Sequence, residues 1–323
     1  MPNNKPKAQS MEEFIKSTTM FYIDDELEKE FDTEVEKDVR EIKSELLGIT
    51  TEEGLKSYIR SNPKSLDRIT SIMNISEEKF KRIITMLRVE KGYMPTGEWT
   101  LTGLRNQMIA SVEWMDEVCN LLQSGARLEA YQKLIPGFYL TNFVIDANTM
   151  GRIANDDDIR RLVRQGYEGR YNNKIGDSFY NRVYQYVKRL CDVEGLTTIS
   201  KEEIPMAGRV IPIAIPDIQH PRILIDVTYG ITTSSAQTKY AEKTEVLCNV
   251  LREKNYQKPD NKKIIYINVV DGAGWVARQS DLNKIHRSSD YLVNLNTLDT
   301  IKEVIEYYLP IGNCETRDAR SQT

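Results

Sequence analysis

The stretch Ile223-Leu224-Ile225-Asp226-Val227-Thr228 decides the fold of this chain. Its run of apolar and β-branched residues is typical of a buried β-strand. A carboxylate in such an apolar setting costs roughly several kcal/mol unless it is paired or bound to a metal. Asp226 is therefore the first candidate for a functional residue. The alternative interpretation is a simple turn former at the end of a strand.

A second apolar strand, residues 210–215, precedes this stretch, and the turn-forming residues 216–221 connect the two as a hairpin. Asp217 is the only acidic residue on the first limb. Residues opposite each other on paired strands lie about 5 Å apart, so we expect the hairpin to set Asp217 beside Asp226. Pro-Asp is also ordinary turn chemistry, which is the alternative for Asp217. Thr228, two residues beyond Asp226, should point to the same face of its strand.

The second half of the chain alternates between helix and strand around this hairpin. Helical patterns cover residues 176–191, 238–252 and 298–309, and a further apolar strand covers 263–270. This order predicts an α/β (α+β) core over residues 156–323, in which helices flank a mixed β-sheet.

Residues 1–155 form a predicted helical N-terminal region. Ser65 and Ser76 are placed to cap two short helices joined by a turn at Asn74, so residues 65–88 form a candidate helix-turn-helix. An ordinary helical hairpin is the leading interpretation. The alternative is a DNA-reading helix, whose contacts would come from its cationic residues. These are Lys79, Lys81, Arg82 and Arg88.

Two further expectations concern this N-terminal region. Residues 1–10 are polar and contain lysine, with no apolar segment behind them, which predicts a flexible leader and not a secretion signal. Residues 101–122 carry a continuous helical pattern and predict one helix.

Composition excludes several classes of protein. The four cysteines, Cys119, Cys191, Cys248 and Cys314, form no CxxC pair, which argues against a zinc site and for reduced thiols. The two histidines are too few for a histidine-metal nuclease, and the chain has no phosphate-binding glycine loop. No apolar run approaches the roughly 20 residues of a membrane helix, so we expect a cytoplasmic protein.

Charge is spread unevenly along the chain, although the formal net charge is −4. Residues 21–50 contain eleven acidic and four basic side chains, whereas residues 160–189 contain eight basic and two acidic ones. Local field matters more than the sum for contact with phosphate. The basic stretch and the polar loop after the Asp226 strand are therefore candidate DNA contacts, the alternatives being solvated charges, packed tyrosines and a helix cap. The candidates are Arg170, Lys174, Arg182, Ser234, Ser235 and Gln237.

Three blocks of sequence resemble one known family. They are residues 173–183, residues 224–229 with the polar loop 232–235, and residues 269–275 with a further stretch at 290–295. In this order the blocks resemble the DpnII/MboI group of type II restriction endonucleases, which belongs to the PD-(D/E)xK nuclease superfamily. The resemblance covers the chain from about Asn172 onward and does not extend to the N-terminal half.

The resemblance implies Mg²⁺-dependent, sequence-specific cleavage of double-stranded DNA by a homodimer, with a cognate DNA methyltransferase as genetic partner. Asp226 falls at the family's Glu position, Thr228 where the superfamily has Lys, and Tyr180 where the family's helix carries Glu. We therefore predict that Asp226 and Asp217 hold Mg²⁺. Together with Thr228 and with Lys239, which would supply the missing cation, they form the predicted catalytic set.

These departures from the motif keep a second hypothesis open. The chain would then be a non-catalytic DNA-binding protein or subunit built on a degenerate nuclease core. Asp177 is a candidate replacement for the helix Glu, although it lies most of a turn away from Tyr180. A plain helical interaction protein, the third hypothesis, does not explain the carboxylate hairpin.

Overall fold

The structure is a computed structural model that describes residues 4–94 and 97–309, so Cys314 lies outside the described residues. It divides into two compact units, Glu28–Gly169 and the combination of Met1–Leu27 with Arg170–Thr323. This division differs from the expected boundary between 155 and 156. The first residues of the chain pack with the C-terminal half, and one long helix contains the second boundary.

The helices account for most of the chain, and short 3₁₀ turns lie between some of them. They are α1 Met11–Ser17, α2 Asp25–Leu46, α3 Glu52–Ser61, α4 Ser65–Ile72, α5 Glu77–Glu90, α6 Leu101–Ala110, α7 Val112–Ser124, α8 Glu129–Gln132, α9 Gly137–Leu140, α10 Ala147–Ala154, α11 Asp156–Val193, α12 Ser235–Asn255, α13 Ala273–Ala277, α14 Gln279–Arg287 and α15 Asp299–Tyr308. None of these helices is at once long enough and apolar enough to cross a bilayer.

Helices α4 and α5 confirm the helical hairpin that the sequence predicts. Asn74 has a positive φ of 55° in the turn, and the Ser76 hydroxyl accepts a hydrogen bond from the Lys79 amide at 3.3 Å. Phe80 and Ile84 are buried in the core of the helical unit. The local pattern therefore determined both the position of the turn and the buried face.

The cations of α5 are occupied within the helical unit. Lys81 and Arg82 form ion pairs with Glu98, and the Arg88 guanidinium lies 3.9 Å from the centre of the Trp99 ring. Lys79 lies over the rings of two aromatic residues of α9. These contacts favour the ordinary helical hairpin over a DNA-reading helix.

The single helix predicted over residues 101–122 is wrong. The chain breaks at Ser111, which has an extended backbone. The Ser111 hydroxyl accepts a hydrogen bond from the Trp114 amide at 3.3 Å and so caps α7. Serine competes with helix continuation by such local bonds, and the apolar periodicity does not report this effect.

The α/β unit is built on a five-stranded mixed sheet with the strand order β1-β2-β3-β4-β5. The β1/β2 and β2/β3 pairs are antiparallel, and the β3/β4 and β4/β5 pairs are parallel. This confirms the α/β core with a mixed sheet. The strands are β1 Ile199–Ile204, β2 Arg209–Ile215, β3 Ile223–Tyr229, β4 Ile265–Asp271 and β5 Tyr291–Val293.

Helices cover the two faces of this sheet. Ile225 of β3 and Ile267 of β4 belong to an apolar cluster that includes Phe179 of α11, and this side is called the α11 face. Leu224 and Tyr266 cluster instead with residues of α12, such as Leu247, and this side is called the α12 face. The separation follows from the alternation of side chains along a strand.

The N-terminal segment is bound to the α/β unit, and the prediction of a flexible leader is wrong for its described residues. The Tyr291 hydroxyl donates to the Pro6 carbonyl at 3.3 Å, and Phe14 is fully buried. Beyond α1, the Thr19 carbonyl accepts from the Gly272 amide at 3.1 Å. Backbone bonding to the sheet thus orders a segment whose composition alone gives no such sign.

Candidate functional site

Asp226 lies in the centre of the α12 face and is only 1% exposed. The guanidinium of Arg209 donates to both of its carboxylate oxygens, to one at 3.3 Å and to the other at a closer approach. The Tyr266 hydroxyl donates to the oxygen that Arg209 approaches more closely. The buried carboxylate is thus paired with a cation and hydrogen-bonded, as burial of a charge requires.

A polar network continues from this pair along the same face. Asn268, the register partner of Asp226 on β4, is fully buried. Its amide oxygen accepts from the Tyr240 hydroxyl at 2.8 Å, and its amide nitrogen donates to the Ser289 hydroxyl at 2.8 Å. The Arg209 guanidinium also donates to the Tyr266 hydroxyl at 3.0 Å. Apart from the Nε of Arg209, the polar side-chain groups of this network therefore find their partners inside the unit.

Burial and charge together shift the pKa values of this network. Burial would lower the pKa of Arg209, but the neighbouring Asp226 carboxylate outweighs it and the pKa is raised. Burial, with the Asp226 charge as the second cause, raises the pKa of Tyr240 well above its ordinary value. The pKa of Tyr266 is raised for the same two reasons. The arginine therefore remains charged and the tyrosines remain neutral at physiological pH.

Strand pairing explains how Arg209 reaches Asp226. The β2/β3 ladder consists of three pairs, from Ile213↔Ile225 to Ile215↔Ile223. Arg209 opens β2 four residues before this ladder begins, directly after Gly208, whose φ is 59°. The start of β2 is therefore not held against β3, and its side chain lies over the α12 face.

Asp217 lies at the opposite end of the hairpin from Asp226. The Ile215↔Ile223 pair closes the ladder, and Asp217 follows it in the turn, where its carboxylate accepts from the amides of Gln219 at 2.8 Å and His220 at 2.6 Å. The extended register puts Asp217 about five residues from Asp226, or roughly 17 Å along the strand. The hairpin does not bring the two carboxylates side by side, contrary to the expectation.

The candidate residues of α11 lie on the other face of the sheet. Tyr180 belongs to the cluster of the α11 face, and its hydroxyl lies 2.6 Å from the Ser200 hydroxyl. Asp177 is exposed and lies 3.8 Å from Lys201 Nζ. The structure therefore does not bring either side chain to Asp226, because helix α11 and Asp226 occupy opposite sides of β3.

The structure brings Thr228 and Lys239 to the same side as Asp226. Thr228 is half-buried and lies two residues further along β3, opposite Val270. Lys239 is exposed on α12 and lines a cavity of 420 Å³ together with Arg209. Lys239 thus contributes positive charge beside the guanidinium that holds Asp226.

The donor set around Asp226 does not fit Mg²⁺ in this arrangement. Hard divalent cations take several carboxylate or carbonyl oxygens, whereas here Arg209 and Tyr266 already occupy the carboxylate. Within residues 4–94 and 97–309, no group of three or more His, Cys, Asp or Glu side chains is placed to hold a metal. The assignment of Mg²⁺ to Asp226 and Asp217 stays a prediction.

The candidate DNA contacts lie in two places of the α/β unit. Ser234 and Ser235 are exposed where α12 begins, and the buried Gln237 accepts from the Ser234 amide at 2.9 Å. Arg182 is exposed and lines a cavity of 610 Å³ between α11 and the start of α15. Arg170 is exposed and Lys174 half-buried on α11. The loop set therefore lies where α12 begins, and the helix set lies on α11.

The sequence interpretation missed four residues of the buried network. Two of them left a signal, because Tyr266 and Asn268 are polar residues two apart within the apolar strand β4. Polar residues two apart on a strand share one face, and buried polar side chains on that face need hydrogen-bond partners. Arg209 and Tyr240 left none, because their partners come from other elements.

Comparison with known families matches residues 158–309 to the family model of the BanI C-terminal domain, which describes a type II restriction endonuclease family. The matched region is just under half of the chain and contains all five strands. No curated protein matches the chain. The similarity agrees with the predicted class, a restriction endonuclease, while the closer resemblance to the DpnII/MboI group stays a prediction.

Proposed function

We propose that this protein is a type II restriction endonuclease that hydrolyses phosphodiester bonds in double-stranded DNA. The observation that carries the proposal is the similarity of residues 158–309 to the BanI C-terminal domain. That region begins in α11 and ends directly after α15, so the similarity covers the complete sheet with its flanking helices.

Contacts between two of the blocks that resemble the DpnII/MboI group support the proposal. The Gly274 amide donates to the Gly230 carbonyl at 2.9 Å, so the loops after β4 and β3 lie backbone to backbone. A Cβ atom at Gly274 would lie 2.3 Å from the Thr232 carbonyl oxygen, so the position requires glycine. The sequence block around Gly274 is thus explained by its approach to the loop that follows β3.

The finer parts of the proposal come from the resemblance. They are a PD-(D/E)xK core, a Mg²⁺ requirement, a homodimer and a methyltransferase that protects the host DNA. The expected cytoplasmic location comes instead from the apolar pattern of the sequence. Asp226, Lys239 and Thr228, which share the α12 face, remain the proposed catalytic residues, whereas the position of Asp217 at the opposite end of the hairpin argues against its part in the predicted set. Because the surroundings of Asp226 do not fit a divalent cation, no catalytic step is assigned to the metal.

The second candidate function is sequence-specific DNA binding without cleavage. It is favoured by the closed contact in which Arg209 and Tyr266 occupy Asp226. A guanidinium in the place of a metal is what a nuclease core that has lost its reaction would be expected to show.

Incubation of the purified full chain with phage DNA separates the two candidates. The first predicts discrete fragments in the presence of Mg²⁺ and none with a chelator. Asp226→Asn should reduce cleavage at least about 100-fold if this carboxylate supports the reaction. Asp217→Asn is the matched comparison, and full activity there would remove Asp217 from the site.

Thermal unfolding of each variant must accompany the cleavage assay, because a loss of folding would imitate a loss of chemistry. DNA binding with no cleavage under any divalent cation would overturn the first candidate and support the second.

A further inference from the structure

The cavity of 420 Å³ at Arg209 lies beside the buried network and has a cationic lining. Arg209, Lys239 and Lys243 contribute three positive charges, and Glu242 contributes one negative charge. Leu247 belongs to its apolar part. The volume exceeds what a single phosphate group requires, and the charge balance of the lining favours an anion.

Arg209 is held rigidly in this lining. Its side chain is 23% exposed, and its two terminal nitrogens are bound to Asp226. Its Nε is buried and has no hydrogen-bond partner among the described residues. An arginine fixed by a carboxylate binds an incoming anion with little further loss of side-chain entropy, because its geometry is already set.

Lys239 and Lys243 are the cations that helix α12 contributes to the lining. They lie four residues apart on α12 and therefore on one side of the helix. Both are exposed, and neither forms an ion pair with any residue of the described ranges. By contrast, the cations of α5 are paired with acidic neighbours or stacked on aromatic rings.

We propose that Arg209, Lys239 and Lys243 form a pocket that binds a phosphate group. Guanidinium and ammonium groups are the side chains that bind phosphate oxygens in proteins, by charge-assisted hydrogen bonds. The phosphate is either a phosphodiester of a DNA strand, in which case the inference rests on the proposed function, or that of a small free phosphate ester. Asp226 is then the residue that positions Arg209.

Binding without any divalent cation tests the pocket independently of cleavage. Labelled duplex DNA is titrated in chelator by fluorescence anisotropy, and adenosine monophosphate by calorimetry. Lys239→Ala/Lys243→Ala should weaken the binding of the ligand at least about tenfold. For DNA, the slope of log affinity against log salt should fall by about two. Lys254→Ala, an exposed lysine of the same helix outside the cavity, is the matched control and should leave both unchanged.

The two arms identify the source of the phosphate. If the double lysine variant loses affinity for DNA, the pocket binds a phosphodiester of the DNA strand. If it loses affinity only for adenosine monophosphate, the pocket binds a free phosphate ester. Equal affinities for the double variant and the Lys254→Ala control in both arms would overturn the inference. If the wild type cleaves DNA but the double variant binds as tightly as the control, the proposed function stands and the pocket inference fails. If the double variant binds more weakly but the wild type does not cleave DNA, the pocket inference stands and the proposed cleavage fails.

Arg209→Lys is the second variant. It keeps a positive charge beside Asp226 but loses the fork that holds both oxygens. We expect Arg209→Lys to bind several-fold more weakly to the same ligand, DNA or adenosine monophosphate, for which the double lysine variant loses affinity. Unchanged affinity in a folded Arg209→Lys protein would exclude Arg209 from the pocket and overturn that part of the inference.

Discussion

The two faces of the sheet solve the problem of burial in different ways. On the α11 face, Ile225 of β3 lies in an apolar cluster with Ile267 and Val269 of β4. One residue further along each strand, Asp226 and Asn268 lie on the α12 face in a network of hydrogen bonds. The first face gains its stability from area removed from water, and the second requires each polar group to find its partner.

Asp271 sharpens this comparison, because it ends β4 in the row of the α11 face and is fully buried, with no cation paired to it in the part of the chain that the structure describes. Its carboxylate accepts from the backbone amides of Thr19 and Leu295, each at 2.7 Å. Burial raises its pKa to about 7 despite these two hydrogen bonds. A paired aspartate and an unpaired one thus lie on opposite faces of the same sheet.

The largest expected effect comes from breaking the charged pair. Asp226→Ala leaves the largely buried Arg209 without its counter-ion, and we expect the free energy of unfolding to fall by about 3–5 kcal/mol. Urea unfolding followed by circular dichroism measures the change. Ile225→Val, one residue away on the apolar face, should cost only about 1 kcal/mol.

A paired replacement is the control for this experiment. Arg209→Met combined with Asp226→Leu removes both charges and fills the site with apolar side chains, so the protein should recover most of the lost stability. If Asp226→Ala alone were as stable as the wild type, the Arg209–Asp226 pair would not be what stabilises the buried polar groups of the α12 face.

The next effect is a pH dependence that belongs to Asp271. Its pKa in the folded chain lies above the ordinary value of 3.8, so its contribution to stability is complete below about pH 4 and is lost as the pH rises through 7. From about 1.36 kcal/mol per pKa unit, we expect a loss on the order of 4 kcal/mol between pH 4 and pH 8. Denaturant unfolding over this range measures it.

Asp271→Asn is the comparison, because it cannot ionise. The difference in unfolding free energy between Asp271→Asn and the wild type should change by this amount over the same window. A difference that stays constant from pH 4 to pH 8 would show that Asp271 is ionised throughout.

The smallest effect tests the network beyond the charged pair. Tyr240→Phe removes the hydroxyl that donates to the Asn268 oxygen and leaves that buried oxygen without its donor. We expect a loss of about 1–2 kcal/mol in unfolding free energy. A neutral result would mean that water replaces the hydroxyl, and the α12 face would then be less dry than its burial indicates.

The sequence predicted what local pattern determines. Strands β2 and β3, the α4–α5 hairpin and the core helices follow from apolar periodicity and capping residues, and the structure confirms them. The short strands β1 and β5 were missed, since Ile199–Ile204 is mostly polar and Tyr291–Val293 spans only three residues. Their pairing depends on neighbours that are distant in sequence.

The candidate site depends on such distant neighbours even more strongly. That Asp226 is buried and needs a partner could be deduced from its apolar surroundings alone. Its actual partners, Arg209 and Tyr266, come from two other strands, and only the sheet register shows that Asp217 is far away. Charge pairing across strands leaves no periodic trace in one sequence, so the sequence does not identify these partners.

The N-terminal segment has a consequence for the order of synthesis. Thr19 binds Asp271 and Gly272, whereas the helical unit Glu28–Gly169 lies between them in the chain. On the ribosome, the first residues therefore emerge long before their partner strand β4 has been made, while the helical unit already has its whole sequence. The helical unit is in this sense an insertion within the sequence of the α/β unit, and the α/β unit can complete its fold only after both of its segments have been synthesised.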